Sequence, residues 1–133
     1  MSLLDDVSDI LTTGGLTAAT IVKSFVPSTP DDVVAIFETG GPAPVHGMAR
    51  GPASALLERP HVQILSRAGR ADTAKKNIQD ANRLLDGLDL TINNVRYHGI
   101  YALQSPFFME RDNSGRVTYA VNFEVLKAPA SSS

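Results

Sequence analysis

The sequence predicts an α+β domain in which a mostly antiparallel sheet of about four to five strands is flanked by helices. The 133 residues are enough for one domain with a real core, and 43% of them are apolar. Residues 72–88 repeat apolar side chains at helical spacing, whereas residues 117–125 alternate apolar and polar side chains as a half-buried strand does. We therefore expect one domain over residues 1–127 and a disordered tail over residues 128–133.

The N-terminal third is expected to form a short helix followed by two strands. Leucine, valine and isoleucine recur at helical spacing over residues 3–11, with Ser2 as the candidate N-cap and acidic side chains on the other face. The β-branched residues of segment 20–26 predict the first strand. The apolar run 33–37 predicts a buried second strand, which ends at two glycines.

The middle of the chain changes from an irregular segment to regular elements. Residues 40–60 contain four glycines and four prolines, which predicts a long exposed loop with one helical turn near residues 54–57. A strand is expected over residues 62–67. The helix over residues 72–88 follows it, with Asp72 as N-cap and a glycine after Asp86 to close it.

The C-terminal third is expected to be a hairpin. Residues 95–103 alternate as a strand, Ser105 and Pro106 interrupt it, and it resumes over residues 107–109. The turn sequence of residues 112–115 then leads into the strand with the clearest alternation in the chain.

Composition excludes several functional classes. The chain has no cysteine, which removes disulfide scaffolds and thiolate metal sites, and its apolar runs are too short to cross a bilayer. The N-terminus begins with acidic residues rather than a basic segment, so no secretory signal is expected. The net charge of −2 argues against strong binding to nucleic acid. We expect no membrane partner and no cofactor.

No combination of residues predicts catalysis. The three histidines are far apart in sequence, and the serines lack the glycine-flanked context of an esterase nucleophile. The segment starting at Gly40 and Gly41 contains prolines and lacks the lysine of a phosphate-binding loop, so it is interpreted as a rigid turn. Adjacent Asp31 and Asp32 would point to opposite sides of an extended segment, which makes them a poor acid–base pair. The chain is not expected to be an enzyme.

Charge is segregated along the sequence. Residues 1–45 hold six acids and one base, residues 46–83 hold seven bases and three acids, and the remainder holds five acids and four bases. These are either solvated faces or the two sides of a head-to-tail contact between copies. The second interpretation gives a set of candidate interface residues, which also includes a phenylalanine pair beside a proline and the two glycines: Asp31, Asp32, Gly40, Gly41, Arg67, Arg70, Lys75, Lys76, Phe107 and Phe108.

Three segments resemble one protein family in the same order. Residues 33–44 resemble the "valyeTGG" segment of the tailed-bacteriophage minor capsid or tail terminator proteins, and residues 60–67 resemble that family's "pxvQvxxR" strand. Residues 104–125 are similar to its closing hairpin, "QsPffxerDxxgRxxxxxNfev". The likeness covers about residues 26–127.

The resemblance implies a structural role in a virion without catalysis or cofactor. Tail terminators of long-tailed phages form a hexameric ring on the tail tube, stop its growth and present a surface to the head connector, while DNA passes through the lumen without specific binding. It implies a location at the head–tail junction, with assembly in the host cytoplasm. A head-completion or tail-adaptor ring protein is the alternative within the virion. A small α+β enzyme or ligand-binding protein is the alternative outside it.

Overall fold

The computed structural model describes residues 2–16, 19–42, 45–46 and 55–128. Two helices and nine strands follow one another along these residues: α1 (Leu3–Thr13), β1 (Thr20–Lys23), β2 (Val33–Gly40), β3 (Val45–His46), β4 (Ala55–Leu57), β5 (His61–Ala68), α2 (Ala71–Leu85), β6 (Leu88–Ile92), β7 (Val95–Ala102), β8 (Phe107–Arg111) and β9 (Val117–Lys127).

Seven of the strands form one mixed sheet in the order β1-β2-β5-β9-β7-β6, with β8 also paired to β9. The pair β1–β2 is parallel and the other pairs are antiparallel. The α+β class is therefore confirmed, whereas the predicted count of four to five strands is too low. One reason is β6, because Leu88 was assigned to the preceding helix and actually begins a strand.

Both helices pack on the same face of the sheet, which we call the helix side. Helix α2 lies against β5 and β9, and α1 lies against β2 and β1. Their apolar stripes and the strand residues facing them form one core, in which Leu11, Ile78 and Phe123 are fully buried. Burying side chains of this size stabilises a fold by about 1.5–3 kcal/mol each. The opposite face carries no helix among the described residues.

Helix α1 begins as predicted. Ser2 caps it, because its hydroxyl accepts from the Asp5 amide while the Asp5 carboxylate accepts from the Ser2 amide. The buried Asp6 accepts from the Tyr97 hydroxyl and, at 2.5 Å, from the Asn93 side-chain amide. Burial and the bond to Asp6 raise the pKa of Tyr97. This cluster ties the first turns of α1 to the sheet.

Helix α2 differs from its predicted bounds at both ends. It begins at Ala71 with Arg70 at the N-cap position, and Asp72 lies in the first turn, where a negative charge is favourable. It ends at Leu85, and Gly87 takes a positive φ of 80° that redirects the chain into β6. Asp72 as N-cap and a helix reaching residue 88 were wrong.

The segment around residues 40–60 contains strands where a helical turn was expected. Ala55–Leu57 pairs with Val45–His46 as a small two-stranded sheet, so the helical turn expected near residues 54–57 is not present at residues 55–57. The rest of the expected long loop falls largely on residues 43–44 and 47–54, which lie outside the described residues. The expected disordered tail also lies outside them beyond residue 128.

Candidate assembly interface

The chain crosses the helix-free face between β1 and β2. This crossover segment, residues 24–32, joins the parallel strands β1 and β2. Arg67 on β5 holds it: its Nη2 donates to the Pro30 carbonyl at 2.7 Å and its Nε to the Asp31 carbonyl at 3.2 Å. Only 7% of Arg67 is exposed. Its guanidinium is thus used within the chain.

Arg116 holds the same segment from the start of β9. Its Nη1 donates to the Ser28 carbonyl at 2.5 Å and lies 3.6 Å from a carboxylate oxygen of Asp31. Its Nε donates to the Asp112 carboxylate at 2.7 Å. Two arginines, one on β5 and one just before β9, therefore fix the crossover segment through backbone carbonyls.

The electrostatics of this arginine pair match its burial. Desolvation lowers the pKa of Arg67, and the nearby positive charge of Arg116 lowers it further. Partial burial pushes the pKa of Asp112 upward, but the bonds from Arg116 and from backbone amides outweigh it, so the pKa of Asp112 is lowered.

The other candidate bases lie on the surface. Arg70 pairs with Asp72 at 3.2 Å, and both side chains are largely exposed. Lys75 and Lys76 are exposed on α2, and the Lys76 ammonium is 3.7 Å from the Asp80 carboxylate. The structure places Arg70 at the N-cap of α2 and the two lysines in the first half of that helix.

The candidate acids and glycines occupy two separate turns. Asp31 and Asp32 end the crossover segment, where Asp31 is exposed and Asp32 accepts from the Gly69 amide at 3.3 Å. Gly40 and Gly41 both take positive φ at the end of β2. A Cβ on Gly41 would lie 2.3 Å from the Arg59 carbonyl, so this position needs glycine for space as well as for conformation.

Strand β8 carries three large exposed apolar side chains in a row. All five of its residues are exposed, among them Phe107, Phe108 and Met109. Phe108 is 54% exposed, and its ring makes an edge-to-face contact with Tyr119 at 5.8 Å between centroids. Tyr101 and Leu103, near the end of β7, extend this apolar surface. Phe25 and Val26, which follow β1, are exposed at the other edge of the sheet.

The described residues hold no group of three histidines or acids that could bind a metal ion. Likewise, neither α1 nor α2 is long and apolar enough to span a membrane. A cavity of about 140 Å³ lies under the crossover segment. Its lining includes the acidic Glu110 and the basic Arg67. The most distinctive surface in the described part of the chain is thus an apolar strand at a sheet edge, which is typical of protein–protein contact.

The family model described as "Bacteriophage tail terminator protein" matches residues 5–128. The chain belongs to this family. It is accordingly a structural protein of the phage tail, in a family of virion components rather than of enzymes. The resemblance read from residues 33–44, 60–67 and 104–125 is confirmed.

A solved structure supports the fold. A chain of the structure titled "Virion of native gene transfer agent (GTA) particle" superposes with a TM-score of 0.65 over 96% of both chains, at 16% sequence identity. At that identity the likeness shows a shared fold. A comparison with curated proteins finds no match.

Sequence reasoning missed the residues that organise this surface. Arg116 was matched only as part of the closing hairpin of the family and was given no role, although it follows a turn and precedes the most regular strand, a position from which a long side chain can reach a neighbouring loop. Met109 was assigned to a strand without a role. In the structure it lies at an irregularity in the β8–β9 register, between Phe108 and Glu110. Such irregularities depend on the partner strand and leave no local pattern.

Proposed function

We propose that this tail terminator forms a hexameric ring that caps the tail tube, stops its growth and provides the surface to which the head connector joins. The observation that carries the proposal is β8, a sheet-edge strand on which Phe107, Phe108 and Met109 are all exposed. Leaving three large apolar side chains in water is unfavourable unless another protein covers them. A structural protein of the tail meets such partners in the assembled particle.

The charge distribution supports a contact between unlike surfaces of neighbouring copies. The exposed bases Arg70, Lys75 and Lys76 belong to the basic middle of the chain, and the exposed Asp31 belongs to its acidic first third. Contacts between unlike surfaces repeat head to tail and close into a ring when the rotation per copy permits. With a net charge of −2, the chain suits a lumen through which DNA passes without being held.

Imaging of tails tests the proposal. Tails assembled without this protein should be overlong and lack a terminal ring, whereas tails assembled with it should have uniform length and join heads. Tails of normal length that fail to join heads would instead favour a head-completion or tail-adaptor role. Normal length and normal joining without the protein would contradict the proposal.

A further inference from the structure

Strands β1 and β8 each have a hydrogen-bonded neighbour on one side only, within the described residues. β1 pairs with β2, and β8 pairs with β9. A strand edge without a neighbour presents backbone N–H and C=O groups that can pair with a strand of another chain. The two free edges lie on opposite sides of the sheet, since β1 is at one end of the strand order and β8 lies beyond β9.

The pairing register places the two free edges at the same height. Partners can be followed from β1 through β2, β5 and β9 to β8. Two adjacent rows cross the sheet in this way: Ile21–Val34–Ser66–Tyr119–Phe108 and Val22–Ala35–Leu65–Ala120–Phe107. Ile21 is therefore level with Phe108, and Val22 is level with Phe107.

The two rows lie on opposite faces. Ile21 packs against the core on the helix side, and Phe108 lies on that side too, because its ring contacts Tyr119, which also packs against the core. Side chains alternate along a strand, so Val22 and Phe107 face the helix-free side. Each phenylalanine of β8 thus has an aliphatic residue of β1 at its own height and on its own face.

The strand directions are also compatible. β1 runs parallel to β2, and three antiparallel steps then lead through β5 and β9 to β8, so β1 and β8 run in opposite directions. A second copy rotated about an axis along the strands keeps both the direction of its strands and the side of its helices. Its β1 would meet β8 of the first copy as an antiparallel partner.

We propose that β8 of one copy pairs with β1 of the next, so that the sheets of neighbouring copies join, with Phe108 opposite Ile21 and Phe107 opposite Val22. This inference rests on the proposed ring and names the surfaces that close it. Aromatic and β-branched residues are favourable cross-strand partners. The exposed Phe25 and Val26, which follow β1, add apolar surface beside the seam.

Cysteine cross-linking tests the pairing. Because the chain has no cysteine of its own, only the introduced cysteines can form disulfides. Four substitutions are combined in pairs: I21C with F108C and V22C with F107C as level pairs, and I21C with F107C and V22C with F108C as crossed pairs. Directly opposed residues have Cβ atoms about 4.5–5.5 Å apart, near disulfide reach, whereas crossed pairs lie on opposite faces. The same four substitutions occur in both sets, which controls for folding.

Mild oxidation of assembled rings should convert both level pairs into covalent multimers on a denaturing gel and leave the crossed pairs as monomers. Rings that form normally but cross-link equally in the two sets, or in neither, would overturn the β8–β1 seam and leave the proposed ring intact. If the unsubstituted chain forms no ring on tail tubes, by electron microscopy, the proposed function itself fails.

Discussion

Strands β6 and β8 both lie at the edge of the sheet beyond β9, yet their surfaces are opposite in character. On β6, Asp89 and Thr91 face solvent, and the Asp89 carboxylate pairs with Arg96. On β8, every residue is exposed and the first three are large and apolar. Charged side chains on an edge oppose pairing with other chains, whereas an apolar edge favours it. One edge of the molecule is protected, and the other is available.

A lysine substitution on each of the two edge strands should give the largest difference in ring assembly. F108K puts a charge in the proposed seam and should weaken ring assembly about 10–100-fold, because a buried phenylalanine contributes about 1.5–3 kcal/mol. T91K on β6 should leave assembly unchanged. Native mass measurements across protein concentration give the comparison. Equal weakening by T91K would show that both edges meet partners.

A substitution next to the β6 edge should instead change the free energy of unfolding. Y97F removes the hydroxyl that donates to the buried Asp6 and should lower the free energy of unfolding by about 1–3 kcal/mol, because Asp6 remains buried with one donor fewer. Urea unfolding measures the loss, and ring assembly at equal folded concentration should be unchanged. Y119F, which retains its ring against Phe108, is the control.

Acid should weaken the N-terminal end of α1. The hydrogen bond from Lys23, 2.5 Å away, and those from Ser2 lower the pKa of Asp5 to about 2 from an ordinary 3.8. Because the folded pKa is below the unfolded one, this contribution is full above about pH 4 and is lost as the pH falls toward 2. Thermal unfolding of D5N should therefore show a smaller loss of stability over that range than the unsubstituted chain. An identical pH profile would contradict the contribution of this pair.

The smallest effect should come from surface charge. R70E reverses an exposed base and should weaken assembly by about two- to fivefold at low salt, an effect that disappears at high salt, since exposed ion pairs contribute about 0.2–1 kcal/mol. R83E is the matched control, because Arg83 is equally exposed and also pairs with a nearby acid, Asp80. If both variants assemble like the unsubstituted chain, the basic stretch is simply a solvated face.

Local periodicity was enough to find α2 and β9, whereas strand pairing was needed to place the site. The spacing of Ala74, Ile78, Ala81 and Leu85 identified α2, and the alternation after residue 117 identified β9, because both patterns follow from one element's own geometry. The role of Arg67 could not be predicted this way. Its partners are carbonyls 36 and 37 residues earlier in the chain, brought close only by the β1–β2 crossover.

For the phenylalanine pair of β8, too, the local pattern predicts part of the arrangement and strand pairing determines the rest. Alternation requires Phe107 and Phe108 to face opposite sides of a strand, so the sequence alone indicates that one ring needs a partner outside the main core. It does not indicate that β8 pairs on one side only, or that Ile21 and Val22 lie level with the two rings. That alignment depends on four successive strand pairings, each set by residues distant in sequence.

The hydrogen bonds from Arg67 and Arg116 to the crossover segment affect how quickly copies can associate. Arg67 on β5 and Arg116 just before β9 hold this segment, which leads directly from β1 into β2. In the proposed seam, β1 is therefore ordered before a neighbour binds, and little chain entropy remains to be lost. Loosening this fastening would slow each encounter even though no arginine of the pair reaches the joint itself.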